Sequence, residues 1–272
     1  MKVLVLQHVD VEHPGTFRDC FREDGVPWDV VHLDRGDGIP ELAAYDCMLV
    51  MGGPQDVWEE DAHPWLVPEK AAIRRFVTEL QRPFLGICLG HQLLADALGG
   101  TVAPGTSEVG VMTIAQTPAG QSDALLHGLP DPMTVLQWHG AEVTALPADA
   151  TLLASSADCR VQAFRVGPHA YGLQCHVEVG ADMVDEWAAI PAYAASLRQA
   201  LGEDGLARMR RDVDKRQSAL RTDARRLYRN LQGLVEGYAG EPEGEFGIPP
   251  FPKRGETVAN AMIDRLRNEM GD

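Results

Sequence analysis

The chain has 272 residues, 45% of them hydrophobic and 24% charged, which is typical of a globular protein with a substantial core. Its formal net charge of −16 argues against nucleic acid or an anionic membrane as the main partner. Five scattered cysteines show no metal or disulfide spacing and no apolar stretch reaches membrane-spanning length, so we expect a cytoplasmic protein without a bound metal.

In the first hundred residues, apolar runs alternate with segments of helical spacing. The runs predict strands at 3–6, 28–33, 46–51 and 84–87, and the other segments predict helices at 16–23, 68–81 and 89–98. This alternation indicates an α/β fold with three layers, in which helices flank a mostly parallel central sheet. Active sites of such sheets lie at the carboxyl ends of the strands, so Gly52, Gly53 and Cys88 are expected at one edge.

The pattern changes after Gly100. Shorter runs at 109–114, 133–137, 151–155, 161–165 and 170–173 predict the second half of the sheet with a meandering edge, and 179–187 returns to helix. We place a domain at 1–190 and a helical C-terminal extension at 191–272, with a long amphipathic helix at 206–238, a Pro/Gly-rich linker at 241–255 and a last helix at 258–270. Two interpretations stay open, because the extension can pack on its own domain or join a homo-oligomer or partner.

Cys88 lies between a predicted strand and a predicted helix, with Gly86 and Gly90 two residues away on either side. This G-x-C-x-G spacing is the cysteine counterpart of the G-x-S-x-G nucleophile elbow, because side chains at the flanking positions would crowd a sharp turn. A thiol at the start of a helix is favoured as thiolate, its nucleophilic form. A core cysteine beside two unrelated glycines is the alternative.

Two further segments supply what a nucleophilic thiol needs. In Cys175-His176-Val177-Glu178, residues two apart on an extended chain share a face, so Glu178 can orient His176 as a base, although a solvated edge strand has the same pattern. Gly52 and Gly53 follow a strand and can present backbone N–H groups to an oxyanion, although Gly-Gly-Pro is also a common turn.

The three segments occur in the order Gly-Gly-Pro, Gly86-Ile87-Cys88-Leu89-Gly90-His91-Gln92 and Gly172-Leu173-Gln174-Cys175-His176-Val177-Glu178. Over residues 1–190 the chain resembles the class I (triad) glutamine amidotransferases, and among them the stand-alone, GMP-synthase-like domain proteins. The resemblance implies a flavodoxin-like class I fold, with Cys88 as nucleophile, His176 as general base and acid, Glu178 as its orienter, and N–H groups of Gly53 and Leu89 in the oxyanion hole.

The same resemblance implies that Gln92 helps to hold the substrate amino acid. Trp138, His139 and Gly140 resemble the family segment whose backbone grips the α-amino and α-carboxylate groups, although Trp138 and His139 can equally be core residues. One departure is that Cys175-His176-Val177-Glu178 stands where the family commonly has aromatic-His-Pro-Glu, from which we expect only local differences in packing.

The resemblance implies that the chain hydrolyses glutamine through a γ-glutamyl thioester and releases ammonia. No nucleotide-binding loop follows residue 190, so no cofactor is expected and a separate synthetase subunit would use the ammonia. The alternatives are a stand-alone γ-glutamyl hydrolase or peptidase acting on another γ-glutamyl amide, and a non-catalytic binding protein of the same fold.

Overall fold

A nine-stranded mixed sheet forms the centre of the computed structural model, which describes residues 1–180 and 182–239. The strand order is β2-β1-β3-β4-β9-β8-β7-β5-β6. The strands are β1 Val3–Gln7, β2 Trp28–His32, β3 Cys47–Val50, β4 Phe84–Ile87, β5 Thr101–Gln116, β6 Met133–Ala145, β7 Ala150–Ser155, β8 Ala163–Val166 and β9 Ala170–Leu173. The predicted linker at 241–255 and helix at 258–270 lie outside the described residues.

The sheet has two halves of different direction. β2, β1, β3, β4 and β9 pair in parallel, whereas every pairing from β9 through β8, β7 and β5 to β6 is antiparallel. The prediction of a mostly parallel sheet is therefore wrong, since the sheet is mixed and only its first half is parallel. The physical reason for the last strands is that short connections join β7 to β8 and β8 to β9, and short connections join only antiparallel neighbours.

The four strands of the first hundred residues agree with the predictions to within one residue at each end. For β1, β3 and β4 the reason is that continuous apolar runs mark strands that are buried on both faces. Two predicted strands are much longer than expected. The segments 109–114 and 133–137 belong to β5 and β6, which form one long antiparallel ladder with a register shift between Pro104 and Glu108. The first part of β5 is largely exposed, so no apolar pattern reveals it.

Seven helices are present among the described residues: α1 Thr16–Glu23, α2 Leu66–Arg74, α3 Leu89–Ala97, α4 Pro118–Gln121, α5 Met183–Ala188, α6 Pro191–Leu201 and α7 Gly205–Ala239. The predictions for α1, α3 and α7 are confirmed, and α2 continues into a π-helical turn at Arg75–Glu79. None of the helices in the described residues is both long enough and apolar enough to cross a lipid bilayer.

Two segments differ from the expectation. The helix predicted at 179–187 begins only at Met183, because the carbonyl of Glu178 accepts a hydrogen bond from the N–H of Thr16 (2.8 Å) instead of from a helical turn. The helix α6 lies in the predicted helical extension, but no individual helix was placed there, although it begins with Pro191, a residue favoured at the first helical position.

The long helix α7 belongs to two hydrophobic clusters. Its first half packs with α5, α6 and the β5–β6 ladder through Met209, Val213 and Leu220. Its second half packs with α1 and with one face of the parallel strands; the residues involved are Ala224, Leu227, Tyr228, Leu231 and Val235. Residues 1–240 consequently form one compact unit, and the apolar stripe of α7 is buried within it.

Candidate active site

Cys88 lies on a sharp turn between β4 and α3. Its backbone has φ 52° and ψ −105°, in the left-handed region that side-chain-bearing residues rarely adopt. A Cβ at Gly86 would lie 2.3 Å from the carbonyl oxygen of Gly90, and a Cβ at Gly90 would lie 2.1 Å from that of Val50. Both flanking positions therefore exclude side chains, and the turn holds the thiol at the carboxyl edge of the parallel strands.

His176 and Glu178 follow β9 and form a buried pair. His176 Nδ1 lies 2.8 Å from Glu178 Oε1, and both side chains are at most 1% exposed. Backbone hydrogen bonds with Leu136 hold His176 to β6, and the ring of Trp187 packs on the imidazole at a centroid distance of 4.5 Å. The carboxylate therefore fixes the orientation of the ring from one side.

The thiol and the imidazole face each other. Burial alone would lower the pKa of His176, but the negative charges of Glu178 and Cys88 outweigh it and raise the pKa well above its ordinary value. Among the described residues, His176 Nε2 is buried and has no hydrogen-bond partner. This nitrogen is the free position at which a proton can be exchanged with a reacting group.

A cavity of about 170 Å³ opens beside Cys88. This volume is below the roughly 300–1,000 Å³ of pockets for drug-sized ligands, so the cavity suits a molecule the size of an amino acid. It is lined by six of the predicted site residues besides Cys88: Gly53, Leu89, Gln92, Trp138, His139 and Gly140. The predicted Gly52, His176 and Glu178 do not line it, and the carbonyl of Gly52 lies 2.8 Å from Nδ1 of His8.

The predicted substrate-holding residues are themselves held by the protein. The amide of Gln92 donates to the carbonyl of Ala141 and to Oε1 of Gln174, each at 3.1 Å. Gln174, which sequence reasoning did not single out, directs its own amide toward Cys88 Sγ at 3.8 Å. Gln92 and Gln174 therefore form a chain of amides that reaches the thiol.

Trp138 and His139 are both core and pocket residues, which reconciles the two interpretations of these positions. Trp138 Nε1 donates to Ser196 Oγ (2.8 Å). His139 has both ring nitrogens engaged, since Nε2 lies 3.0 Å from Glu108 Oε2 and Nδ1 lies 3.1 Å from the carbonyl of Ala141. Their side chains brace the wall of the cavity.

Sequence reasoning missed two contributors to the site. Ala192, Tyr193 and Ser196 of the unpredicted helix α6 line the cavity, and Tyr193 Oη donates to Oε1 of the buried Glu12 at 2.6 Å. Pro191 was a signal for the helix. Glu12 follows β1, and active sites of parallel sheets lie at the carboxyl ends of the strands. Its position after a predicted strand was therefore a signal for Glu12.

Two buried clusters of the described residues each bring three potential metal-ligating side chains together: Glu108, His139 and Cys159; and Glu12, His176 and Glu178. The first does not suit a metal. Glu108 already accepts hydrogen bonds from Ser156 and Gln162, and burial raises the pKa of Cys159 to about 12, which disfavours the thiolate that a metal requires. The second cluster contains the histidine–carboxylate pair described above.

A thiol on a strand–helix elbow, near a buried histidine–glutamate pair and a small cavity, is the arrangement that an α/β protein with a nucleophilic cysteine requires. The model of the class-I glutamine amidotransferase family matches residues 15–185. The chain therefore belongs to the class I glutamine amidotransferase family, as its motifs indicated.

Similar proteins agree with this assignment. The glutamine amidotransferase-like protein YfeJ of Salmonella typhimurium is 31% identical over 198 residues, which are 68% of this chain and 79% of that protein. A GMP synthase (glutamine-hydrolysing) of Streptococcus pneumoniae is 40% identical over 137 residues, which are 48% of this chain and only 24% of the synthase. A glutamine amidotransferase from Thermotoga maritima superposes with a TM-score of 0.76 at 31% identity, over 87% of this chain and 98% of its own.

Proposed function

We propose that this protein hydrolyses the side-chain amide of glutamine through a γ-glutamyl thioester on Cys88 and releases ammonia to a separate acceptor enzyme. The observation that carries the proposal is that Cys88, on its elbow, both lines a cavity of about 170 Å³ and acts on His176 of the buried His176–Glu178 pair. A chemically competent thiol and an amino-acid-sized cavity together favour a small amide substrate.

In the first step, the thiolate of Cys88 attacks the amide carbon of glutamine and a sulfur–carbon bond forms. The carbonyl oxygen becomes an oxyanion, which the N–H groups of Gly53 and Leu89 stabilise. Leu89 suits this role because it is the first residue of α3, where N–H groups have no partner within the helix. Gly53 lines the same cavity.

In the second step, the carbon–nitrogen bond breaks and the imidazolium of His176 gives its proton to the leaving nitrogen, so that ammonia departs. The neutral imidazole then takes a proton from water as the water attacks the thioester. Glutamate leaves, and the thiolate and imidazolium are restored. Glu178 keeps the ring oriented throughout and stabilises its positive charge.

The acceptor of the ammonia is proposed to be a separate synthetase. The GMP synthase relative is named for glutamine hydrolysis and GMP synthesis, and this chain matches 24% of its length, which is consistent with the glutamine-hydrolysing part acting for a larger enzyme. Pairing through the C-terminal helices remains a prediction for the oligomeric state.

The test is glutamate release by the purified protein from glutamine and from a panel of γ-glutamyl amides with larger amines. We expect glutamine to be hydrolysed and Cys88→Ala to remove the activity, because no thioester can form. Cys20→Ala is the matched control, since it removes another buried thiol, on α1, which is far in the sequence from Cys88. Faster cleavage of a larger amide than of glutamine would instead identify a γ-glutamyl hydrolase, and no Cys88-dependent cleavage of any amide would contradict the proposed chemistry.

A further inference from the structure

A second buried carboxyl group lies beside the His176–Glu178 pair. Glu12, in the loop between β1 and α1, is 2% exposed. Its Oε1 accepts the hydrogen bond from Tyr193, whereas its Oε2 is buried without a hydrogen-bond partner among the described residues. Glu178 Oε2 is buried and unpartnered in the same way. Two such oxygens at one site require an explanation, since buried polar atoms are nearly always hydrogen-bonded.

The three side chains are close together. One carboxyl oxygen of Glu12, one of Glu178 and one ring nitrogen of His176 lie within 4.8 Å of one another. Gly52 gives a second measure of this proximity, because a Cβ built on it would lie 2.7 Å from Glu12 Oε2 and 3.1 Å from His176 Cε1. The imidazole therefore faces two carboxyl groups, only one of which has the hydrogen bond of a triad.

We propose that Glu12 is a positioning residue for His176: its carboxyl group shares with Glu178 the control of the proton on the imidazole, and Tyr193 links this control to helix α6 over the cavity. The inference rests on the proposed use of Cys88 and His176, and it adds a group that acts through His176 without touching the substrate.

Two carboxyl groups that share one buried site cannot both ionise freely, so one of them keeps a proton to higher pH. Burial raises the pKa of Glu12, although the charge of His176 and the hydrogen bond from Tyr193 act in the opposite direction. When Glu12 does lose its proton, its new negative charge favours the imidazolium form of His176. At low pH a proton that one carboxyl group holds beside the other accounts for the unpartnered Oε2 atoms, and its loss as pH rises gives Glu12 the charge that acts on His176.

The titratable groups around this site come from several elements. Those that face His176 or Glu12 are Glu178, Cys88, Tyr193 and His8, and His8 is in turn paired with Glu69 at 2.8 Å. His8 stays paired with Glu69 when Glu12 is replaced. A substitution of Glu12 therefore removes one negative charge near His176 without breaking another histidine–carboxylate pair.

Tyr193 gives the linkage a physical route. Its ring packs on Trp138 and Trp187, at centroid distances of 5.6 and 6.4 Å, and it lines the cavity. Trp187 in turn packs on His176. Glu12 and Tyr193 both lie outside residues 15–185, the part that the family model matches. The two segments that flank the matched part of the chain therefore meet at the catalytic histidine.

The experiment is an NMR titration of the His176 ring in the full-length protein, with its signal assigned by the loss of one resonance in His176→Gln. In Glu12→Gln, which keeps the shape and removes the charge, the His176 midpoint is expected to fall by about one pH unit. The matched control is Glu186→Gln, because Glu186 is a partly exposed carboxylate on α5 that pairs with His13 at 3.1 Å. An unchanged midpoint in Glu12→Gln, or an equal shift in both variants, would overturn the proposal.

Tyr193→Phe decides the question if Glu12→Gln does not fold. Without the hydroxyl, Glu12 ionises less readily, so the His176 midpoint is expected to fall, by less than in Glu12→Gln, and to be unchanged if Glu12 plays no part. The titration needs no substrate. A protein that releases no glutamate but shows the shift would contradict the proposed function and leave the positioning role intact.

Discussion

The described residues contain two buried histidine–carboxylate pairs, one with Cys88 acting on its histidine and one with its histidine lining the cavity, and the two have nearly the same length. His176 and Glu178 are 2.8 Å apart, and His139 and Glu108 are 3.0 Å apart. All four side chains are at most 5% exposed. Distance and burial therefore do not separate a catalytic pair from a structural one.

The other polar atoms of each pair do separate them. Nδ1 of His139 is engaged by the carbonyl of Ala141, and the oxygens of Glu108 accept from Ser156 and Gln162. In the His176 pair, by contrast, Nε2 of the histidine and Oε2 of Glu178 have no partner among the described residues. A pair whose bonds are complete braces a wall, whereas a pair with a free ring nitrogen facing a thiol can exchange a proton.

The most direct way to break this comparison is to replace the two histidines. His176→Gln is expected to lower kcat/KM for glutamine by about 10³–10⁴, because general acid–base catalysis is lost. His139→Gln is expected to cost much less activity, since that ring only braces the cavity. The measurement is steady-state glutamate release by both variants, with thermal unfolding to verify folding. Equal losses of activity would mean that the free nitrogen is not what distinguishes His176.

Replacing the carboxylate of the His176 pair should have a smaller effect. Glu178→Gln keeps the shape of the side chain but removes a charge that raises the pKa of His176, so kcat is expected to fall by about 10²–10³. The fold should be retained, which circular dichroism can verify. A rate near that of the unmodified protein would remove Glu178 from the triad and leave Glu12 as the carboxylate that matters.

Replacing the carboxylate of the His139–Glu108 pair should lower stability and leave activity nearly unchanged. Glu108→Gln weakens the hydrogen bonds to His139, Ser156 and Gln162, so the free energy of unfolding is expected to fall by about 1–3 kcal/mol. Glutamate release by the folded protein should change little. Urea unfolding measures the first quantity. A large loss of activity at unchanged stability would assign Glu108 a part in catalysis.

His91 is a third buried histidine that can be compared with His176. Its ring packs against Phe164, and neither nitrogen has a hydrogen-bond partner among the described residues. Burial lowers the pKa of His91 to about 3, whereas the pKa of the equally buried His176 is raised. A free nitrogen is therefore not sufficient, because the neighbouring negative charges of Glu178 and Cys88 are what keep a proton on His176.

This difference also predicts a pH dependence of stability. The unfolded chain protonates His91 near its ordinary value of 6.5, and the folded chain does so only near 3. The unfolded state therefore binds the extra proton in this window, and stability falls as pH falls, by about 1.4 kcal/mol per pH unit from this group. His91→Leu should flatten the dependence in urea unfolding between pH 6 and 4. An unchanged slope would show that His91 is protonated in the fold.

Much of the site could be predicted because its parts are local in sequence. The elbow needs only a buried strand, two glycines and a helix start, and Gly86 and Gly90 carry that requirement within five residues. The His-x-Glu segment is equally local, since the histidine and its carboxylate are two positions apart in the chain. The strands β1, β3 and β4 were readable for a similar reason, as burial on both faces leaves continuous apolar runs.

Tertiary packing alone decided which residues that are distant in the chain come into contact. Glu12 and Tyr193 are 181 positions apart, and no periodicity marks either as part of a site. The same holds for the engagement of His139 by Glu108, which leaves one histidine structural and the other free. Local patterns set by backbone geometry can be read in sequence order, whereas the satisfaction of each buried polar atom depends on which elements the folded sheet and helices bring against it.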